Sequence, residues 1–149
     1  MEDAMTEYRI SYDMMKISLL EKRFPELKGR VDVVKSRWGE DMIPPHCLFG
    51  DVFDPYLVSL LKENMEKEQI RKIFEFYEEL AEFGDKEVKN LLQVTLLEYL
   101  WDDAAVYWNA RSYMGEKTLE INREIGAYLT EPSQPPKSSP WETAKKKKK

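Results

Sequence analysis

One short stretch, residues 38–56, holds the side chains most able to do chemistry. These are the only histidine, the only cysteine and three aspartates: His46, Cys47, Asp41, Asp51 and Asp54. Structural zinc takes four Cys or His ligands, and this chain offers one of each. Asp51 and Asp54, three residues apart, could join a hard-cation site, but a helix cap and a turn hydrogen bond explain them better. We therefore expect neither a metal nor a cofactor.

Covalent catalysis is also disfavoured. A cysteine nucleophile needs a base that can be oriented onto its sulfur, and His46 is the direct neighbour of Cys47, where side chains diverge. A free cysteine among apolar residues is more often a small buried hydrophobe. The sequence predicts that the protein is not an enzyme. The alternative is a small metal-assisted hydrolase that uses the His46 loop with Asp51 and Asp54.

A second group of acids lies beside tryptophan. Glu98 and Asp102 are four residues apart, so on a continuing helix they share a face and repel each other. Acids and aromatics together are typical of a surface that binds a basic protein, although core packing explains the tryptophans more simply. If the protein binds a partner, the residues predicted to contact it are Asp51, Asp54, Glu98, Trp101, Asp102 and Asp103.

The remaining pattern is helical. Apolar residues recur three or four apart, most clearly from Glu66 to Phe83, and no useful stretch alternates with period two. Gly39 and Gly84 are placed to end helices, and Asp85 to cap the next one. The sequence predicts an all-α fold, an antiparallel helical bundle or a short stack of helical hairpins, with about six to seven helices.

Two segments interrupt this pattern. Residues 39–54 contain Pro44-Pro45, Gly39 and Gly50 among apolar side chains, which predicts an ordered but irregular segment inside a helical domain of residues 1–129. Asp54-Pro55 should then cap and open the following helix. Residues 130–149, with four prolines, three serines and a terminal lysine run, predict a disordered Pro/Ser/Lys tail.

Charge is unevenly distributed between these parts. The total is −5, but six lysines and two glutamates give residues 130–149 a charge of +4, so residues 1–129 carry −9. An acidic body disfavours direct binding of nucleic acid and favours a basic partner. The run Lys145–Lys149 is explained equally well as a tag for nucleic acid or membrane surfaces and as an incidental solubilising tail. The acidic start of the chain and the lack of a long apolar stretch predict a cytoplasmic protein without a membrane span.

Two sequence runs carry a resemblance. PPHCLFGDVFDPYLVSLLKEN and IRKIFEFYEELAEFGDKEVKNLLQVTLLEYLWDD resemble an uncharacterised family of small helical bacterial proteins, some of which look like immunity proteins of polymorphic toxin systems. The likeness covers about residues 24–103 and brings no catalytic residues. It implies a helical fold and makes neutralisation of a basic toxin domain the leading hypothesis. An acidic inhibitor that mimics nucleic acid is a further alternative.

Overall fold

The computed structural model describes residues 8–39 and 42–134. This part of the chain holds seven α-helices and no strand, which confirms the all-α prediction and its helix count. The helices are α1 (Ile17–Arg23), α2 (Lys28–Trp38), α3 (Pro45–Glu63), α4 (Lys67–Phe83), α5 (Lys86–Leu91), α6 (Ala104–Tyr113) and α7 (Glu116–Ile125). Between α5 and α6 the chain continues as a π-helix, Leu92–Leu97, and a 3₁₀-helix, Glu98–Asp102.

Helix α3 lies at the centre of the fold. It packs against α2, α6 and the π-helix, while α4 packs against α7. Aromatic rings fill the space between α3 and α4: Phe24 makes edge-to-face contacts with Phe53 and Phe76, with ring centroids 5.2 and 5.3 Å apart. All three rings are almost fully buried. Such pairs add about 0.5–1.5 kcal/mol each beyond the area they bury.

The prediction of an irregular segment at 39–54 is wrong over most of that range, because α3 begins at Pro45. Proline at the first helical position loses nothing, since that N–H has no partner within the helix. Pro55 lies in the helix interior and removes one backbone hydrogen bond, a cost of about 3 kcal/mol. Burial of seven apolar side chains offsets it: Leu48, Phe49, Val52, Phe53, Leu57, Leu60 and Leu61.

Local signals in the sequence place several helix ends correctly. Gly39 follows α2 with a φ of +86°, a left-handed conformation that favours glycine. Gly84 follows α4, and the Asp85 side chain caps α5 by accepting a hydrogen bond of 2.8 Å from the Val88 amide. Asp103 caps α6 in the same way, through the Val106 amide.

The prediction of a disordered tail is wrong for its first residues, 130–134. Residues 130–134 lie against α6, where the Trp108 indole donates a 3.0 Å hydrogen bond to the Pro132 carbonyl. The Tyr107 hydroxyl donates to the Glu131 carboxylate, which also lies 3.6 Å from Arg111. The rest of the predicted tail, residues 135–149 with Lys145–Lys149, lies outside the described residues.

Within the described part of the chain, no helix is both long enough and apolar enough to span a lipid bilayer.

Candidate functional site

The most unusual backbone in the molecule is the π-helix and 3₁₀-helix that follow α5, here called the 92–102 segment. The sequence predicts a regular helix here, because apolar residues continue at helical spacing. Instead the hydrogen bonds widen to the π pattern over Leu92–Leu97 and tighten to the 3₁₀ pattern over Glu98–Asp102. π-helical turns are uncommon and are frequently found at functional sites. The segment therefore defines the candidate site.

The inner side of the 92–102 segment meets α3 through polar groups. His46 Nδ1 and Thr95 Oγ1 are 2.5 Å apart in a hydrogen bond between the two elements. One turn further along α3, a Cβ atom at Gly50 would lie only 3.0 Å from the Thr95 methyl carbon. Glycine at this position therefore lets the π-helix approach α3 closely.

Asp54, one further turn along α3, turns its carboxyl group towards the protein interior. Its Oδ1 atom is buried and has no hydrogen-bond partner among the described residues. Burial, and secondarily the negative charge of Asp51, raise the pKa of Asp54 to about 8. The carboxyl group is therefore mainly neutral at pH 7. The Tyr99 hydroxyl approaches it and partly favours the charged form, but the two groups do not form a well-aligned hydrogen bond.

Two tyrosine hydroxyls share this environment. Tyr77 of α4 is fully buried, and its ring is held against Phe53 and Phe74 at centroid distances of 5.9 and 5.2 Å. Tyr99 is partly exposed, but its hydroxyl oxygen is buried. Neither hydroxyl has a hydrogen-bond partner within the described residues. Burial raises the pKa of both tyrosines well above the ordinary value, so both remain protonated.

The outer side of the 92–102 segment is an acidic surface centred on tyrosine. The Tyr128 hydroxyl, on the turn after α7, donates a hydrogen bond to Glu98 and accepts one of 3.0 Å from the Gln93 side chain. Slight burial, the hydrogen bond to Glu98 and the charges of Glu98 and Glu124 raise the pKa of Tyr128. We call Gln93, Val94, Glu98, Glu124 and Tyr128 the acid–tyrosine surface.

Apolar exposure and unpaired charge distinguish this surface. Tyr128 is 52% exposed, and Val94 is 38% exposed. No lysine or arginine nitrogen of the described chain lies within 4 Å of the carboxylates of Glu98, Asp102 or Glu124. An exposed aromatic ring among acids without cationic partners is a combination that suits a basic protein surface.

Of the six residues predicted to contact a partner, only Glu98 belongs to this surface. Asp102 is exposed at the end of the same segment. Asp103 is half-buried: it caps α6 and lies 3.9 Å from Lys62.

The other three do not contribute to this surface. Asp51 is exposed on α3 and 3.8 Å from Arg37 of α2, while Asp54 faces the interior. Trp101 is only 8% exposed, and its indole donates a 3.0 Å hydrogen bond to buried Asn122. In this structure neither Asp54 nor Trp101 is available to a partner.

The residues of the alternative hydrolase hypothesis do not come together. His46 engages Thr95, Asp51 faces Arg37, and Asp54 is directed inward. No group of three or more His, Cys, Asp or Glu side chains within 8–39 and 42–134 is arranged to hold a metal ion. Asp41 lies outside the described residues.

Sequence reasoning missed Tyr128, Glu124 and Gln93 as parts of the surface. The nearest sequence signal was the four-residue spacing of Val94, Glu98 and Asp102; in the structure Val94 and Asp102 are exposed and Glu98 is half-buried. No local signal marks Tyr128, because it reaches Glu98 across thirty residues of chain.

One family matches the chain over residues 17–128. It is described as a domain of unknown function, DUF7674. The chain belongs to this family. The match includes α1 to α7 and the whole acid–tyrosine surface, so the candidate site lies inside the DUF7674 domain. No curated protein and no solved structure matches the chain.

Proposed function

We propose that this DUF7674 protein is a non-enzymatic protein-binding domain, and that its partner is a basic toxin domain that it neutralises as an immunity protein. The observation that carries the proposal is the acid–tyrosine surface, where Glu98 and Glu124 flank an exposed tyrosine and neither carboxylate lies within 4 Å of a lysine or arginine nitrogen of the described residues. The negative charge of residues 1–129 and the resemblance to immunity-like proteins point in the same direction.

The surface would act in two ways. Its carboxylates attract a cationic partner over several ångströms, which raises the association rate and makes that rate sensitive to salt. Tyr128 supplies a rigid aromatic anchor, the type of residue that often dominates interface energies. Val94 extends the apolar contact beside it. Covering the basic active cleft of a toxin would then block access of its substrate.

Mimicry of nucleic acid receives less support from the distribution of charge. It requires extended rows of carboxylates, and α7 does expose Glu116, Glu120 and Glu124 in one row. However, the groove between this row and α5 is also lined by three lysines: Lys86, Lys89 and Lys117. Mixed charge of this kind does not resemble a phosphate backbone.

The test is complex formation with the product of the neighbouring gene, measured by co-purification and surface plasmon resonance. We expect Tyr128→Ala to raise the Kd about 30-fold or more, as for a central aromatic anchor. Glu98→Lys with Glu124→Lys should slow association at least tenfold at low salt. The matched control is Glu75→Lys with Glu82→Lys, which makes the same charge change at two exposed positions of α4.

Growth rescue in cells that express the toxin gives the functional readout, and the surface variants should protect less well than the control. A neighbouring gene that encodes an ordinary metabolic enzyme, with no complex formed, would contradict the proposal. Equal loss of binding in the doubly substituted α4 control would show that net charge matters rather than this surface.

A further inference from the structure

A cavity of about 490 Å³ lies between α6, α7 and the residues that follow α7. Its volume is in the range of sites that hold small molecules. Two arginines line it, Arg111 of α6 and Arg123 of α7, together with a single acidic residue, Glu131. The charged side chains of the lining therefore sum to +1, although residues 1–129 as a whole carry −9. A positively charged cavity in an acidic protein indicates an anionic occupant.

Arg111 is held in place from two sides. Its guanidinium lies over the Trp108 ring, 5.2 Å from the ring centroid, and its Nε atom is 3.6 Å from the Glu131 carboxylate. A guanidinium has five N–H donors, so contact through Nε leaves those of the two terminal nitrogens for another acceptor. Arg111 is therefore fixed in position without being fully paired.

Arg123 faces the same cavity without an acidic partner. In the part of the chain that the structure describes, no carboxylate lies within 4 Å of its guanidinium. The side chain is exposed, so a ligand can reach it from solvent. Arginine pairs with carboxylates through two parallel N–H groups, which makes a carboxylate the natural partner for this position.

A chain of hydrogen bonds beneath the cavity keeps Glu131 engaged. The Trp101 indole donates to Asn122 Oδ1 at 3.0 Å, and Asn122 Nδ2 donates to the Tyr107 hydroxyl, also at 3.0 Å. Because an indole can only donate, the Asn122 amide has one orientation, and Tyr107 must direct its own proton to Glu131. Burial and the hydrogen bond to Glu131 raise the pKa of Tyr107 to about 12, so it stays a donor at neutral pH. Glu131 is therefore occupied by Tyr107 and does not neutralise Arg123.

We propose that this cavity binds a small organic acid, whose carboxylate pairs with Arg123 and with the terminal nitrogens of Arg111. The apolar body of the ligand would lie against Leu119 and Leu129, which also line the cavity. A concave site bounded by several elements suits a small molecule better than a flat protein surface. Both arginines lie within the DUF7674 domain, and the inference does not depend on the proposed protein partner.

An NMR titration of the full chain tests the site, with phenylacetate and indole-3-acetate as probes. We expect both acids to shift the signals of the Trp101 indole and the Gly126 amide, which border the cavity. A Kd of about 1 mM or tighter is within reach of ligands with about ten heavy atoms. Phenylacetamide and indole-3-acetamide have nearly the same shape without the charge, and should bind at least about tenfold more weakly because their hydrogen bonds are not charge-assisted.

Arg123→Gln removes one charge from the cavity and should raise the Kd of both acids about tenfold, the loss expected for one hydrogen bond to a charged group. The matched control is Arg71→Gln, which makes the same change at an exposed position of α4 outside the cavity. Its Kd should stay within about twofold of the parent value, because distant exposed charges are screened. Any one of three results would overturn the proposal: no saturable shift with either acid, equal binding of acids and amides, or unchanged binding in Arg123→Gln.

Discussion

Replacement of Asp54 by asparagine tests the burial of this carboxyl group most directly. The substitution keeps the shape of the side chain and removes its ability to ionise. In the folded protein the pKa of Asp54 is raised from 3.8 to about 8, by burial first and by the charge of Asp51 second. Tyr77 and Tyr99, the other titratable groups that face it, remain protonated well above this pH.

The magnitude follows from linkage. Between pH 4 and pH 8 the folded state holds one proton that the unfolded chain has released, so stability falls by about 1.4 kcal/mol per pH unit. The contribution of this group is fully present below about pH 4 and is lost as the pH rises through about 8. At pH 7 the accumulated cost is about 4 kcal/mol. Asp54→Asn avoids this cost. Its free energy of unfolding at pH 7 should therefore rise by at most about 4 kcal/mol, because the new amide must also find hydrogen-bond partners.

The assay is urea unfolding monitored by circular dichroism from pH 4 to pH 9. We expect the stability difference between Asp54→Asn and the parent protein to be small at pH 4, to grow with pH, and to level off above pH 8. Glu63→Gln, an exposed change on the same helix, is the control and should stay within about 0.5 kcal/mol throughout. A difference that does not vary with pH would refute a neutral, buried Asp54.

Three further predictions concern contacts elsewhere in the fold. Glu78 of α4 accepts hydrogen bonds from the Lys117 and Thr118 amides at the start of α7, so Glu78→Ala should cost about 1–2 kcal/mol in urea unfolding, whereas exposed Glu75→Ala should cost little. Gly115→Ala should also destabilise the protein, by about 1–3 kcal/mol, because the methyl group of the alanine would collide with the Glu78 carboxylate. Trp108→Phe removes the hydrogen bond to the Pro132 carbonyl and should increase hydrogen exchange in residues 130–134 while leaving α4 unchanged.

Stability measurements at low pH give a second test of the Glu78 hydrogen bonds. Burial works to raise its pKa, but the hydrogen bonds from Lys117 and Thr118 outweigh burial and lower it. The stabilisation is therefore present above the ordinary pKa of 4.5 and is lost as the pH falls through the lowered value. The difference in free energy of unfolding between the parent protein and Glu78→Ala should therefore become smaller in acid. A stability difference that becomes larger in acid would contradict the capping role of Glu78.

The sequence was informative wherever structure depends on neighbours within one helical turn. The apolar spacing of residues 66–83 predicted α4 almost to the residue, and Gly84 and Asp85 marked the boundary that follows. These signals work because capping and helix periodicity involve groups only three or four residues apart.

The same local reasoning failed where distant contacts outweigh backbone preference. Gly50 and Pro55 predicted a break, yet burial of apolar side chains along α3 keeps the helix continuous around both. Helical apolar spacing extends back from Ile17 through Met14 to Ile10, yet the Ile10 backbone pairs with Phe83 and Asp85 at 2.9 and 3.0 Å, and α1 begins only at Ile17.

Four of the six predicted contact residues show the same division between local and tertiary information. The acidic character of Glu98 and Asp102 could be read directly, and in the structure Asp102 is exposed and Glu98 is half-buried. Burial of Trp101 and Asp54 could not be read, because it depends on which way the segment and α3 turn when they pack.

By itself, then, the sequence determined the all-helical class, most helix ends and the negative charge of the body. Only the tertiary structure decided which acids face outward, how Tyr128 joins Glu98, and that Asp54, Tyr77 and Tyr99 each bury an unpaired oxygen. The physical reason is the separation along the sequence of the residues that interact. Caps and periodicity act within a turn, whereas burial and the meeting of polar groups depend on contacts between residues twenty or more positions apart.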